Sequence, residues 1–365
     1  MEDMDMKEFW KDKKILVTGH TGFKGSWLSL WLNALGAKII GYSLPPPTKP
    51  SLFEIANIEK HMISIIGDIR DLAHITDIFR KCQPEIIFHM AAQSLVRYSY
   101  DHPIDTYSTN ILGTANVLEA IRKSECVKAA VIITSDKCYE NNEWVWGYRE
   151  KDALGGHDPY SSSKGCAELI TQAYRRSYFS KSSVNTDTTS IATARAGNVI
   201  GGGDWAVDRL IPDIMRSLLN NSNPLIRNPN AIRPWQHVLE PLHGYLMLAE
   251  CLWKHGADFA DAWNFGPNGE DTQPVYWIAN YLTKFWGENA MRKPISTQKE
   301  QVANILHEAN YLKLDSSKAK SRLEWKPKLT LKTALEWTAD WYQQYKLKND
   351  MKDFTQKQIS NYQDI

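Results

Sequence analysis

Lys14-Ile15-Leu16-Val17 is a short apolar run that passes through Thr18-Gly19-His20-Thr21-Gly22-Phe23-Lys24-Gly25 directly into a helical pattern from Trp27 to Leu35. A strand can turn that abruptly into a helix only where the corner is free of side chains, and glycines at 19, 22 and 25 supply that freedom. The same turn aims backbone amides at the positive end of a helix, where a pyrophosphate can be held. By itself the loop is equally compatible with a tight turn that binds nothing. The following residues decide, because they repeat the unit. Strand patterns cover Ile15–Thr18, Lys38–Tyr42, Met62–Ile66, Ile86–Met90, Ala129–Thr134 and Thr189–Ala194. Helical patterns over Gly22–Leu35, Leu72–Cys82, Ile104–Lys123 and Tyr160–Ser177 fall between most of them.

This alternation predicts an α/β fold: a Rossmann-type doubly wound parallel sheet covered by helices, with ligands at the carboxyl ends of the strands. At 365 residues and 43% hydrophobic content the chain is long enough for two lobes. Beyond Ala196 the pattern shifts to Gly201-Gly202-Gly203, Pro and Asn clusters and shorter elements. The expected division is a dinucleotide-binding domain over 1–195 and 236–262, with a helix from Leu239 to His255 packing back on it. A smaller α/β substrate-binding lobe follows over 196–235 and 263–350. The polar tail 351–365 is expected to fold over the second lobe or to fray.

Charge narrows the partners. The 43 basic and 42 acidic residues balance, so no global field draws nucleic acid or an anionic membrane, though a local basic pocket remains open. Met1–Lys13 is charged and lacks the apolar core of a signal peptide or membrane span. Cys82, Cys126, Cys138, Cys166 and Cys251 are scattered, odd in number and without metal-ligand spacing, which fits a reducing, cytoplasmic compartment and no metal.

Two clusters carry chemistry. Ser135, Asp136 and Lys137 end an apolar run, at the carboxyl end of a predicted strand. Tyr160 and Lys164 are four positions apart, and if Pro159 starts a helix both project from one face. A tyrosine takes a hydroxyl proton only as phenolate. Its free pKa near 10 would be lowered by a neighbouring ammonium and by an oxidised nicotinamide. Asp136 and Lys137 can divide acid and base duties if the carboxyl keeps its proton and the amine loses one. Those demands oppose each other, so the resting state is expected to be an ion pair with coupled titration.

Together with Asp68-Ile69-Arg70-Asp71, His89-Met90-Ala91-Ala92, Asn110 within Ser-Thr-Asn-Ile and Tyr160-Ser-Ser-Ser-Lys164, the glycine loop resembles the extended short-chain dehydrogenase/reductase family over nearly the whole chain. Ser135-Asp136-Lys137 resembles the catalytic triplet of its nucleotide-sugar 4,6-dehydratases, which more often reads Thr-Asp-Glu. Lys137 in the Glu position, with Gly203–Pro212 and Arg233-Pro234-Trp235-Gln236-His237-Val238, is similar to the branch acting on cytidine diphosphate sugars. The resemblance implies oxidation at sugar carbon 4, elimination of water across carbons 5 and 6, and return of the stored hydride to carbon 6. It implies catalytic roles for Ser135, Asp136, Lys137, Tyr160 and Lys164. It places Gly19, Thr21, Gly22, Phe23, Lys24, Gly25, Ser43, Asp68, Ile69, Ala91, Ala92, Gln93, Asn110 and Thr134, with Tyr160 and Lys164, around the cofactor. Asn198, Arg209, Leu210 and Arg233 are implied on the nucleotide sugar, whose diphosphate needs cations or amide donors.

The residues leave the cofactor open. After the second strand the chain reads Gly41-Tyr42-Ser43-Leu44, without the acidic residue that holds an adenosine ribose. Lys24 and His20 could add positive charge nearby, so NADP competes with NAD on the residues, while the resemblance implies NAD. Trp205 and Trp235 are candidates for the pocket wall, and His237 for orienting a loop. Cytosine preference rests on the resemblance alone, as does a homodimer or homotetramer paired through Ile104–Lys123 and Tyr160–Ser177. A nucleotide-sugar 4-epimerase, a dehydratase of GDP-mannose or dTDP-glucose, and a non-catalytic dinucleotide sensor are the rival readings; Asp136-Lys137 argues against the epimerase.

Overall fold

The computed structural model describes residues 3–179, 189–222, 224–226, 228–287, 296–297 and 311–365. Strands β1 (Lys14–Thr18), β2 (Lys38–Ser43), β3 (Ile63–Ile66), β4 (Ile86–His89), β5 (Ala129–Ile133) and β6 (Ser190–Ala196) fall on the predicted apolar runs. Short strands follow: β7 (Asn198–Ile200), β8 (Leu225–Ile226), β9 (Ile232–Arg233), β10 (Trp235–His237), β11 (Ala262–Phe265), β12 (Gln273–Pro274) and β13 (Ser296–Thr297). A seven-stranded sheet runs in the order β11-β6-β5-β4-β1-β2-β3, parallel throughout. The remaining strands pair as β7 with β10, β9 with β12 and β8 with β13. Chain order reverses on either side of β1, which opens a crevice between the ends of β1 and β4.

The helices are α1 (Asp3–Trp10), α2 (Phe23–Ala34), α3 (Leu52–Ile55), α4 (Leu72–Cys82), α5 (Val96–Asp101), α6 (Pro103–Tyr107), α7 (Gly113–Arg122), α8 (Pro159–Tyr178), α9 (Leu210–Leu219), α10 (Leu239–His255), α11 (Val275–Trp286), α12 (Ser317–Arg322), α13 (Leu331–Lys346) and α14 (Met351–Gln363). Alternate strand residues face opposite layers. Ile15, Val17, Ile86, Phe88, Val131 and Ala194 pack with Trp27 and Trp31 of α2 and with Leu242 and Leu246 of α10. Leu16, Ile40, Ile87, Ala130, Ile132 and Ile191 pack with Ile75 and Phe79 of α4 and with Val117 and Ile121 of α7. The sheet is therefore covered on both faces, as an all-parallel sheet requires.

Four features differ from the sequence reading. The helix expected over Ile104–Lys123 is divided into α6, a π-helical turn Ser108–Leu112 and α7. The seventh strand, β11, carries the sheet on to Phe265, past the expected boundary at 262. The strand expected at Thr189–Ala194 is β6, which starts one residue later, at Ser190, and extends to Ala196. The tail 351–365 neither frays nor covers only the second lobe: most of it is α14, which meets α13 and reaches α2. Tyr362 lies edge-on to Trp31 at 5.7 Å and donates a hydrogen bond to Glu240 Oε2 of α10 at 2.8 Å. The same carboxylate accepts the Lys328 and Leu329 amides at 2.9 and 2.6 Å, so the C-terminal segment is clamped to α10. A polar average hid one apolar stripe, Met351, Ile359 and Tyr362, all buried.

Replacing Tyr362 by Ala should therefore lower unfolding stability by about 3 kcal/mol, the usual loss for a buried aromatic ring. Urea denaturation checks this, and an unchanged midpoint would mean that the tail is dispensable.

Candidate active site

The glycine loop sits at the crevice. Gly19, at φ +76°, passes so close to the segment just after β4 that a Cβ would lie 2.8 Å from the Ala91 backbone. A Cβ on Gly25 would fall 2.1 Å from the Gly19 carbonyl oxygen, so the first turn of α2 rests directly on the loop. Gly22 caps α2 without a side-chain hydrogen bond, and no acidic residue occupies the first turn. The amides of that turn thus face outward at the positive end of the helix dipole, the arrangement that suits a pyrophosphate.

Around this loop, Thr21 Oγ1 shares a hydrogen bond with Ser43 Oγ at 2.8 Å and donates to the Leu44 carbonyl at 2.9 Å, pinning the loop to the end of β2. Asp68 is engaged by Arg70 through contacts of 2.6 to 3.0 Å, and the Ile69 side chain is buried in the layer beneath. Asn110 sits in the π-helical turn. Its amide oxygen accepts from the Gln93 amide at 2.9 Å, and its Nδ2 donates to the Gln93 carbonyl and to Ser163 Oγ of α8. The segment Ala91-Ala92-Gln93 after β4 is thereby fixed to the helix that carries Tyr160.

The two cations suggested for a 2′-phosphate are not placed to hold one. His20 is fully buried and burial lowers its pKa to about 4, so it is neutral; its Nε2 is 2.7 Å from Ser64 Oγ. Lys24 points the other way, into the cavity, where Lys164, Arg209, Asp136 and Asp204 act on it. Burial, aided by the first two charges, lowers its pKa to about 7.

The cavity, of about 310 Å³, lies where α2, the end of β5, α8 and the segment after β6 converge. Ser135, Asp136, Lys137, Thr134 and Tyr160 line it, opposite Phe23 and Lys24. Asp158 caps α8 by accepting the Ser161 amide at 2.9 Å and Pro159 occupies its first turn, so Tyr160 and Lys164 share the inward face as the spacing predicts. Lys164 is 6% exposed, and its Nζ donates to the Ile133 carbonyl at 3.4 Å. Burial lowers its pKa to about 8, against the pull of Glu168. In the protein alone burial pushes the Tyr160 phenol up to about 12, only partly opposed by the Ser135 hydroxyl. The lowering expected from Lys164 does not overcome that desolvation.

Burial raises the Asp136 pKa against the opposing effects of Lys137, Ser135 and Arg233. The expected ion pair with Lys137 is not formed: Asp136 Oδ1 accepts from Ser135 Oγ at 3.0 Å, and buried Oδ2 has no hydrogen-bond partner.

Asn198, Arg209, Leu210 and Arg233 all line the same cavity. Arg209 is aimed by Asp204 Oδ2 at 3.0 Å and donates to Ser94 Oγ at 2.9 Å. Trp235 forms part of the wall, whereas Trp205 lies edge-on to Tyr342 at 5.0 Å, in the core. His237 is fully buried with a pKa lowered to about 3 by burial, and its Nδ1 accepts the Leu239 amide at 3.3 Å, which suits a loop-orienting role. Arg97 lines the cavity and was missed, because nothing in Leu95-Val96-Arg97-Tyr98 marks it apart from a surface helix. Also missed was Glu168, whose carboxylate accepts from Thr134 Oγ1 (2.5 Å), Thr193 Oγ1 (2.7 Å) and Arg195 (2.8 and 2.9 Å). Its position, one turn after Lys164, was the available signal.

A family model described as GDP-mannose 4,6 dehydratase matches residues 16–338. The chain is 51% identical to CDP-glucose 4,6-dehydratase of Salmonella typhimurium, over 98% of each chain. It is 28% identical to dTDP-glucose 4,6-dehydratase of Escherichia coli, over 90% of this chain and 93% of that one. Among solved structures, dTDP-glucose 4,6-dehydratase from Streptomyces venezuelae with NAD bound superposes with a TM-score of 0.76 at 21% identity, covering 92% and 98% of the two chains. UDP-glucose 4-epimerase from Thermotoga maritima gives 0.76 at 22%, covering 91% and 99%. Those two likenesses establish the fold, which dehydratase and epimerase share.

A methyl group at position 25 has no room above the Gly19 carbonyl. Gly25→Ala should weaken dinucleotide binding by at least about tenfold through displacement of the loop, measured by calorimetry; unchanged affinity would remove the loop from the binding site.

Proposed function

The chain belongs to the GDP-mannose 4,6-dehydratase family, and from that premise we propose that it converts CDP-D-glucose to CDP-4-keto-6-deoxy-D-glucose as an NAD-dependent hydro-lyase. The observation that carries this reading is the convergence of Tyr160, Ser135, Asp136 and Lys137 on one cavity that also receives Arg209 and Arg233. An epimerase has no use for the acid and base at 136 and 137. The relative of 51% identity supports cytidine diphosphate glucose as the substrate, whereas the family takes its name from a different sugar nucleotide.

The loop residues Gly19, Thr21, Gly22, Phe23, Lys24 and Gly25, with Ser43, Asp68, Ile69, Ala91, Ala92, Gln93, Asn110 and Thr134, would hold the dinucleotide, joined at the nicotinamide end by Tyr160 and Lys164. Neutral His20 and inward-facing Lys24 leave no cation of the glycine loop for a 2′-phosphate, which favours NAD over NADP. NAD held there would supply a reversible hydride acceptor, so the oxidation at carbon 4 and the reduction at carbon 6 would need no net redox partner.

The chain's own groups move the protons. Tyr160 takes the proton from the carbon 4 hydroxyl, and Ser135 hydrogen-bonds the same oxygen. A phenol raised to about 12 by burial needs added positive charge to do so, from Lys164 and from the oxidised ring. Once carbon 4 is a ketone, the proton on carbon 5 is acidic and Lys137 removes it. Hydroxide is a poor leaving group, so Asp136 donates its proton to the carbon 6 oxygen, which departs as water. The raised pKa of Asp136 and its freedom from an ion pair with Lys137 support that division of roles. Asn198, Arg209, Leu210 and Arg233 hold the nucleotide sugar.

The same reading includes a first lobe formed by 1–195 and 236–262 and a nucleotide-sugar lobe formed by 196–235 and 263–350, with β11 reaching into the first. It also includes a homodimer or homotetramer paired through α7 and α8, whose neighbourhood exposes Ile104, Leu112, Leu169 and Tyr178. Five free cysteines fit a cytoplasmic setting. No helix among the described residues is long and apolar enough to cross a membrane.

Incubation with CDP-, dTDP-, GDP- and UDP-glucose or -mannose plus NAD should give a product lighter by one water from CDP-glucose, as read by mass spectrometry. Lys137→Met should still show transient reduced cofactor but lose solvent deuterium uptake at carbon 5. Tyr160→Phe should lower both by about 100-fold or more, the usual scale for losing a proton-transfer group. Exchange at the wild-type rate in the Lys137 variant would remove Lys137 as the base.

A further inference from the structure

Glu168 touches neither the cavity nor either proton-transfer group, yet its hydrogen-bonding is complete on all sides. It follows Lys164 by one helical turn on the buried face of α8. Its donors come from two strands. Thr134, immediately before Ser135, and Thr193 and Arg195 of β6 all converge on it. Arg195 Nη1 then donates to Tyr139 Oη at 2.6 Å, in the chain just beyond Lys137. The carboxylate is thus the point at which the helix of Tyr160 and Lys164 meets the strand end of Ser135, Asp136 and Lys137.

We infer that Glu168 is a positioning residue for the reaction: it locks those two halves of the site together and sets a buried carboxylate one helical turn from Lys164 on the same face of α8. The inference rests on the reading of Tyr160 and Lys164 as the oxidising pair.

The charges that face Lys164 make the second part specific. Among the described residues, Lys24 of α2, His89 of β4 and Cys138 of the turn after β5 are the other titratable groups coupled electrostatically to it. Lys24 is a like charge. His89 is neutral, its pKa lowered to about 3 by burial and by Lys164 itself, and burial holds the Cys138 thiol well above its ordinary value, hence neutral. Among the described residues acting on Lys164, Glu168 is the carboxylate that favours its charged form. Glu168 in turn faces Arg195 from β6 and Arg175 from its own helix. Burial opposes its charge, but Arg195 and the two threonine hydroxyls outweigh that and hold the carboxyl below its ordinary range. Glu168 therefore stays ionised at every pH at which Lys164 titrates. Removing a negative charge beside an ammonium makes the ammonium release its proton at lower pH. The state in which Lys164 supports the Tyr160 phenolate would then be lost earlier as pH rises.

Glu168→Gln keeps the shape and one acceptor oxygen while removing the charge. Lysine carbon NMR, with the Lys164 signal identified by its loss in Lys164→Met, should show the Lys164 midpoint lowered by about half a pH unit or more. The alkaline limb of the kcat profile with CDP-glucose should move the same way. Thr193→Val removes one hydrogen bond without changing charge, so it should reduce stability and leave the midpoint in place. If Glu168→Gln does not fold, the pair Glu168→Gln/Arg195→Met, which leaves no unpaired charge, carries the same readouts. An unmoved midpoint in the folded variant would overturn the inference and leave Glu168 as a structural tie. NMR reads the inference without substrate, whereas failure of the parent protein to turn over CDP-glucose would count against the proposed function alone.

Discussion

The ion pair between Glu168 and Arg195, each side chain 3% exposed, is the constraint on which the arrangement of the site depends. Taking both charges out of water costs several kcal/mol per ion, and a buried pair offsets this only when its remaining hydrogen bonds are made. Here they are. Thr134 and Thr193 complete the carboxylate, while Tyr139 and the Glu150 carbonyl accept from the guanidinium. The network does not stop there. Tyr139 donates to Asn264 of β11, and Asn264 donates to the carbonyls of Tyr148 and Asp315. One connected set of buried polar groups therefore joins α8, the ends of β5 and β6, the sheet edge and a segment late in the chain. A half-made version would be worse than an apolar core, so the set specifies one arrangement.

What that arrangement presents to a ligand is a graded electrostatic surface. At the crevice, the first turn of α2 offers amides and no acid. Deeper in, half-buried Lys24 and buried Lys164 have pKa values lowered towards neutrality by desolvation. On the far wall Arg209 is held by Asp204, and Arg233 stands beside Trp235. Such a surface would complement the diphosphate groups of the proposed cofactor and substrate. Asp136 opposes the trend. Placed among cations, it still has a raised pKa because burial dominates, which is what an acid for a leaving hydroxyl requires.

Much of this was legible in the chain because it rests on local pattern. The glycine corner, the strand and helix alternation and the Tyr160–Lys164 spacing are short-range signals, and the sheet follows them within a residue or two at most ends. The misses have a common cause. Glu168 meets Arg195 across the gap between a helix and a strand, and a lone Glu in Ala167-Glu168-Leu169 carries no mark of that meeting. The tail read as polar because three inward residues are diluted by many outward ones. The Tyr160 phenol was expected low because charges can be counted in a sequence, whereas desolvation, which decides its direction, depends on the packed fold. His20 and Lys24 left NADP open on the sequence because neighbours along the chain need not point the same way; one is buried neutral beside Ser64 and the other faces the cavity.

The central claim is that one cavity oxidises carbon 4, eliminates across carbons 5 and 6, and ends with the hydride moved within the same sugar. CDP-glucose carrying deuterium at carbon 4 tests it directly, by locating the label in the product with NMR. The account predicts deuterium at carbon 6 of the 4-keto-6-deoxy sugar. Deuterium retained at carbon 4 of an epimerised hexose, or lost to the cofactor pool, would contradict it.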